Sequence, residues 1–248
     1  MPQFGDDIFL GPALGPNAGF GSDGNPAPMS QGVGPMGRVF VWDVVPLTLQ
    51  AAGLAAAQAV GAAGNLALTA GTGVTRITLP SGSFSYVLDC ARCVTLVSAN
   101  AGDTTQTATV SGFDYLGAPM TSRVTLNGVT TVVTSKAFKQ VTQIAISAAT
   151  AGNISAGFND RLGIPLRVTD VGYVQNVKWS ATLAADAGTF VAAVTTDPAT
   201  VLTGDVRGLY TPSSAANGAR RLVMTIAVPG IGCGPQATRI GAFGVTQV

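Results

Sequence analysis

The chain has 248 residues, 13 of them basic and 12 acidic, for a formal net charge of +1 with only 10% charged residues. Such a balance offers no basic surface to nucleic acid and little repulsion between copies. His is absent and every acid is Asp, which excludes imidazole acid–base catalysis, Ser-His-Asp triads and His-ligated metal sites.

Residues 1–37 are dominated by Gly and Pro (GPALGP, GFGSDGNPAPMS, GVGPMG). Pro removes ladder donors and Gly raises the entropic cost of ordering, so this segment holds no fold of its own. Phe4, Ile8, Phe9, Leu10, Leu14 and Phe20 are nevertheless spaced along it. Two readings are open: a disordered leader, or an extended arm that orders on a neighbouring subunit and buries those anchors there. The arm is favoured, because apolar anchors without a partner are a liability. The anchors taken as partner-binding are Phe4, Ile8, Phe9, Leu10 and Phe20. The opening MPQFGDDIFL carries Asp6 and Asp7 and no early Lys or Arg, unlike a secretory signal.

RVFVWDVVPLTL (38–49) reads as a strand broken by Pro46. Residues 50–65 (AAGLAAAQAVGAAG at their centre) are weakly hydrophobic. They fall short of the roughly twenty predominantly apolar residues of a spanning helix. The expectation is an Ala/Gly-rich loop or a helix packed under a β domain, with no membrane involvement.

From residue 66 onward short strands are expected at 66–70, 74–79, 84–90, 92–98, 105–113, 121–126, 129–135, 140–147 and 153–157. Turn chemistry separates them: Pro80-Ser-Gly82, Asn100-Ala-Gly102-Asp103, Asn127-Gly128 and Ala151-Gly152-Asn153. Asn127-Gly128 predicts a tight hairpin with positive φ at both residues. TATVSG, SRVTL and QVTQIAIS alternate polar and apolar residues, as strands buried on one face do. After Leu162-Gly-Ile-Pro165, the run 172–194 predicts two strands joined by Ala185-Asp-Ala-Gly188. Residues 197–219 are loop-like, RLVMTIAV (221–228) is a closing strand, and 237–246 a further one. The fold class is all-β: a β-sandwich or jelly-roll-like domain with an extended Gly/Pro-rich N-terminal arm. The division expected is an arm at 1–37, a main β domain at 38–170, a possible second subdomain or insertion at 171–220, and closing strands at 221–248.

Chemistry is hard to find in the residues. Cys90-Ala-Arg-Cys93 is formally a CxxC, but it lies in the apparent strand YVLDCARCVTLV, where residues three apart point to opposite faces. A redox CxxC belongs at a helix N-terminus, and structural zinc usually needs four Cys or His ligands. With Cys233 the count is odd. Buried inert thiols are the main reading, and an intersubunit link or metal or redox chemistry stay open. Asp103, Asp160, Asp197 and Asp205 sit in turn-like segments, where Asp bonds the backbone. Asp89 and Asp114 fall at strand ends, as caps or as partners of Arg92 or Arg123. No P-loop, dinucleotide fingerprint, EF-hand or GxSxG motif is present. No catalytic residue, cofactor or metal is expected.

The blocks FSYVLDCARCVTLVSA, ATVSGFDYLGAPMTSRVTLNG, SKAFKQVTQIAISAA and GNISAGFNDRLGIPL have a distinctive order and texture. They include Gly112-Phe-Asp114-Tyr-Leu-Gly117-Ala-Pro119, Lys136-Ala-Phe138-Lys139 and Leu162-Gly-Ile-Pro165. In these features, over residues 84–170, the chain resembles structural proteins of tailed-bacteriophage virions. The resemblance implies a β-rich head component of the decoration or cement type, made in the host cytoplasm and located in the virion. It implies contacts with the major capsid protein or other virion proteins and a homo-oligomer, a trimer being favoured. A tail, baseplate or head-fibre component, a jelly-roll shell protein and a carbohydrate-binding adhesin are the alternatives.

Overall fold

The computed structural model describes residues 7–9, 36–180, 184–194, 196 and 199–228. Among them there is no α-helix, and the paired strands are all antiparallel, as a chain rich in Val and Thr and without Glu favours. The protein is all-β. The strands are β1 (Asp7–Phe9), β2 (Met36–Val44), β3 (Gln50–Gln58), β4 (Gly64–Asn65), β5 (Val74–Thr78), β6 (Phe84–Ser98) and β7 (Thr107–Phe113). They continue with β8 (Pro119–Thr125), β9 (Val132–Ile146), β10 (Ile154–Gly163), β11 (Val174–Trp179), β12 (Thr189–Val191), β13 (Leu209–Thr211) and β14 (Leu222–Val228).

Two sheets form. The larger runs β12-β13-β10-β6-β9-β7-β8 and curls into a half-barrel, with β3 on β10, β4 on β9 and β5 on β6. The smaller runs β1-β2-β14-β11. Inside the curl, Leu54, Leu88, Leu96, Val110, Phe138 and Phe158 belong to one core. A second core joins the two sheets: Trp42, Met224 and Trp179 of the small sheet pack with Leu162 and Tyr210 of the large one and with Ile164 just beyond β10.

Several sequence expectations are corrected. Residues 50–58 are neither loop nor helix. They form β3, paired to β10 with two register shifts. Ala is indifferent to strand formation, but small side chains and Gly157 let the two backbones approach. A Cβ at Gly157 would collide with the Gln50 carbonyl. Residues 66–70 are connecting chain rather than a strand, tied down by Leu66 N–H to Ile144 O (2.9 Å) and Thr69 N–H to Leu54 O (2.8 Å). The strands expected at 84–90 and 92–98 are one, β6, and those at 129–135 and 140–147 are merged in β9.

Asn127-Gly128 is a turn but not a hairpin. Gly128 alone has positive φ (58°), and Thr130 N–H closes on Asn127 O at 3.0 Å. The strands on either side, β8 and β9, are separated in the sheet by β7. The turn is instead anchored sideways, with Gly128 N–H donating to Asp103 O (2.8 Å) and Ser98 N–H to Gly128 O (3.1 Å).

Residues 171–220 divide between the sheets: β11 joins the small one, while β12 and β13 join the large one. The strand expected at 237–246 lies outside the described residues.

Candidate functional site

The charged residues of the interior gather where strands β6, β9 and β10 bulge. Between the pairs Val87↔Gln140 and Arg92↔Phe138, β6 has four residues and β9 has one. Such extra residues leave the ladder and bend the strand. The Lys139 ammonium donates to the carbonyls of Leu88 (2.6 Å) and Asp89 (3.0 Å) in this bulge. Beside it, β10 holds three residues, 159–161, against one on β6. Arg92 sits between the two bulges with its side chain 0% exposed.

All five N–H groups of Arg92 have acceptors. Nε donates to Asp89 (2.8 Å), one terminal nitrogen to Asp89 (2.6 Å) and Leu47 O (2.7 Å), the other to Asn159 O and Asp160 (both 3.2 Å). Its guanidinium also lies 5.0 Å from the Phe158 ring centre. The two carboxylates are bonded further: Asp89 accepts from Leu47 N–H (2.7 Å) and Asp160 from Ala216 N–H (3.1 Å). Asp160 therefore lies in a strand bulge, not in the turn expected from sequence. The group ties β6 and β10 to the chain entering β3 and the chain entering β14.

A second cluster lies under residues 199–208. Asp205 accepts from the N–H groups of Ala137 (2.9 Å) and Arg207 (2.8 Å). Burial pushes its pKa up despite those bonds, and burial also pushes the Lys136 ammonium down. Arg207 forms an ion pair with Asp114. Asp114 in turn caps its own turn, accepting from Leu116 N–H (2.8 Å) and Ala118 N–H (2.9 Å). The sequence offered Arg92 or Arg123 as partners for Asp89 and Asp114. Arg92 pairs with Asp89 as proposed, whereas Asp114 pairs with Arg207, far along the chain.

Asp103 and Asp186 each organise a loop. Asp103 accepts from Ser98 Oγ (2.5 Å) and from Ala151 and Gly152 N–H (both 2.9 Å), and these bonds hold its pKa below the ordinary value. Asp186 accepts from Ser213 Oγ and Tyr210 Oη (both 2.6 Å) and from the N–H groups of Ser213 and Gly188. Burial pushes its pKa up, but the Ser213 and Tyr210 bonds outweigh it and the result is lowered. Asp197 lies outside the described residues.

Cys90 and Cys93 are both buried and unbridged. As the strand geometry predicts, they enter different cores: Cys90 packs with Trp42 and Leu162, Cys93 with Ala137 and Leu209. Burial pushes the Cys90 thiol up to about 12 and that of Cys93 up as well. Neither is a nucleophile at neutral pH. Among the described residues no three Cys or Asp side chains converge as metal ligands. Cys233 lies outside them.

Of the arm anchors, the structure places Ile8 and Phe9 in β1, which pairs with β2 in the register Asp7↔Arg38, Ile8↔Gly37, Phe9↔Met36. Phe4, Leu10 and Phe20 lie outside the described residues. Surface residues that sequence reasoning passed over are Ile77 and Phe84 on the β5–β6 hairpin, Tyr115 and Leu116 at the β7–β8 turn, and Leu202. For Ile77 and Phe84 the sequence signal was the turn chemistry at Pro80-Ser-Gly82, which marks a protruding tip. No family model, curated protein or solved structure matches this chain.

Proposed function

We propose that the chain is a non-enzymatic structural protein of a tailed-phage virion, of the decoration or cement type, which stabilises a head by bridging neighbouring coat subunits. The observation that carries this reading is the attachment of Asp7–Phe9 by strand addition at the rim of the small sheet. Residues 10–35 of Gly/Pro-rich sequence run between β1 and β2. Strand addition needs only main-chain donors and acceptors, so a short segment docks firmly without a large globular interface. The interior supports the same reading, because the charged clusters around Arg92 and Asp205 are engaged in holding strands and loops together. The blocks that resemble virion proteins, 84–170, coincide with β6 to β10 of the large sheet.

The test is co-sedimentation with shells assembled from the major coat protein encoded in the same genome. Full-length chain is expected to pellet with shells and to raise their disruption temperature. A chain lacking 1–36 is expected to stay in the supernatant while keeping its β-sheet circular dichroism. Binding to tails and not to heads would move the protein to the tail or baseplate. Equal binding by the truncated chain would remove the arm from the mechanism.

A further inference from the structure

The β5–β6 hairpin leaves the body of the protein. Beyond Tyr86↔Val141, β9 takes β4 as its neighbour at Ala145 and Ile146, and β6 runs out beside β5 alone. Residues 75–84 are exposed apart from Leu79, including Ile77 at 38% and Phe84 at 44%. Arg76 is the one charged residue in this stretch, and it lies 4.5 Å from the Phe84 ring centre.

The hydrogen-bond phase of β5 follows from its end. Leu79 N–H bonds Ser83 O at 2.8 Å, so Ile77 and Thr75 face β6 in the hydrogen-bonded pairs with Ser85 and Val87. Val74, Arg76 and Thr78 then turn their backbone groups outward. The Val74 N–H is taken by Gly71 O at 3.1 Å. The N–H and C=O of Arg76 and Thr78 have no partner among the described residues. Other sheet margins are partly covered: Val201 O accepts from Arg123 on β8, and Val177 O of β11 accepts from Asp186. β5 carries no Lys, acid, Pro or bulge, the usual devices that block edge pairing.

We propose that β5 is a self-association edge, pairing antiparallel with β5 of a second copy about a twofold axis through Ile77. The register is dictated by the strand itself. Placing Arg76 opposite the partner's Arg76 sets two like charges side by side, which is destabilising. Placing Thr78 opposite the partner's Thr78 sets Arg76 against the partner's Pro80, which has no N–H to give. Pairing Arg76 with the partner's Thr78 avoids both problems. It forms two hydrogen-bonded pairs and puts Ile77 against the partner's Ile77 in a non-hydrogen-bonded pair, about 4.5 Å between Cα atoms. The result is a continuous β6-β5-β5-β6 sheet across two chains. The contact is small against the roughly 1,200 Å² of a stable interface, so the pairing is weak for two free chains and strengthened where many copies are held together. It stands independently of the virion reading, and a threefold contact elsewhere on the molecule leaves it unaffected.

The experiment is disulfide trapping in a Cys233→Ser background, where Cys90 and Cys93 are buried. Ile77→Cys places two thiols within the roughly 4.4–6.8 Å Cα range of a disulfide. Thr75→Cys lies on the same face but is offset from its own copy by about 13 Å at 3.3 Å per residue. Ile77→Cys is expected to give a covalent dimer in oxidised glutathione at least tenfold faster than Thr75→Cys. In sedimentation velocity, Thr78→Pro, which removes an outward N–H and leaves the β6 ladder intact, is expected to raise the dimer dissociation constant at least tenfold. Thr78→Ala, which keeps that N–H, is expected to leave it within twofold. Equal trapping at 75 and 77, fastest trapping by Arg76→Cys, or a chain that stays monomeric at millimolar concentration would each overturn the proposal. So would capture by β5 of a strand from a different protein without any self-pairing. If Thr78→Pro fails to fold, the two cysteine variants decide alone.

Discussion

Arg92 is a cation held wholly inside the protein, and it is tolerated because five acceptors surround it. Removing one partner from such a group leaves the others buried without compensation, which costs about 3–5 kcal/mol. Arg92→Ala should therefore lower the unfolding free energy by about that amount in a denaturant titration. Arg92→Lys should recover only part of it, since an ammonium cannot fork to Asp89 while reaching Asn159 and Leu47. The carboxylates give a pH dependence with a definite sign. Asp103 has a folded pKa below its unfolded value of about 3.9. The stability it contributes is thus present above about pH 4 and is lost as pH falls through the folded pKa. Asp103→Asn should be less stable than wild type at pH 7, and the gap should close on acidification, as read by thermal unfolding at several pH values. Asp205 works in the opposite sense, since its raised pKa means that its contribution is lost as pH rises. Cys90 and Cys93 should resist a thiol reagent in the native Cys233→Ser chain and react once it is unfolded. Rapid labelling of the native chain would show that the β6 bulge opens.

Glycines and bulges decide how the elements fit. Gly128 combines φ of 58° with a Cβ position only 2.6 Å from Ala101 O, so Gly128→Ala pays twice, in backbone strain and in a collision. It should destabilise the protein by about 1–3 kcal/mol, with increased hydrogen exchange at Ser98 and Asp103. Gly157→Ala should instead loosen β3 from β10, seen as faster exchange across residues 50–58 while β6 and β9 keep their protection. These positions also mark where the sequence was readable. Alternation in TATVSG, SRVTL and QVTQIAIS was enough to locate β7, β8 and the second half of β9, because one face of each is buried. The Ala-rich stretch 50–58 carried no such pattern, and its strand conformation comes from the partner β10. The Asn-Gly pair was legible as a turn, but its role as a sideways anchor on Asp103 was not. That role depends on a long-range contact between loops.

For the whole molecule, the N- and C-terminal thirds of the described chain meet in the small sheet, where β2 lies between β1 and β14 and the second core seals it to the large sheet. Deleting residues 1–36 removes β1 but leaves the long β2–β14 pairing in place. The truncated chain should unfold within a few degrees of the full-length protein, while losing the shell binding proposed for the arm. Light scattering after size exclusion would add the mass of each. A trimer that survives truncation would support a folded oligomeric body, and a monomer would count against the threefold arrangement. By itself the sequence determined the all-β class, the opposite placement of Cys90 and Cys93 and the lack of histidine chemistry. These follow from composition and from the two-residue period of a strand, which are local properties. Only the tertiary structure decided the strand order, the three-way junction at Arg92, the pairing of Asp114 with Arg207 and the open edge of β5. Each depends on which distant segments meet across bulged strands, and no local pattern encodes that choice.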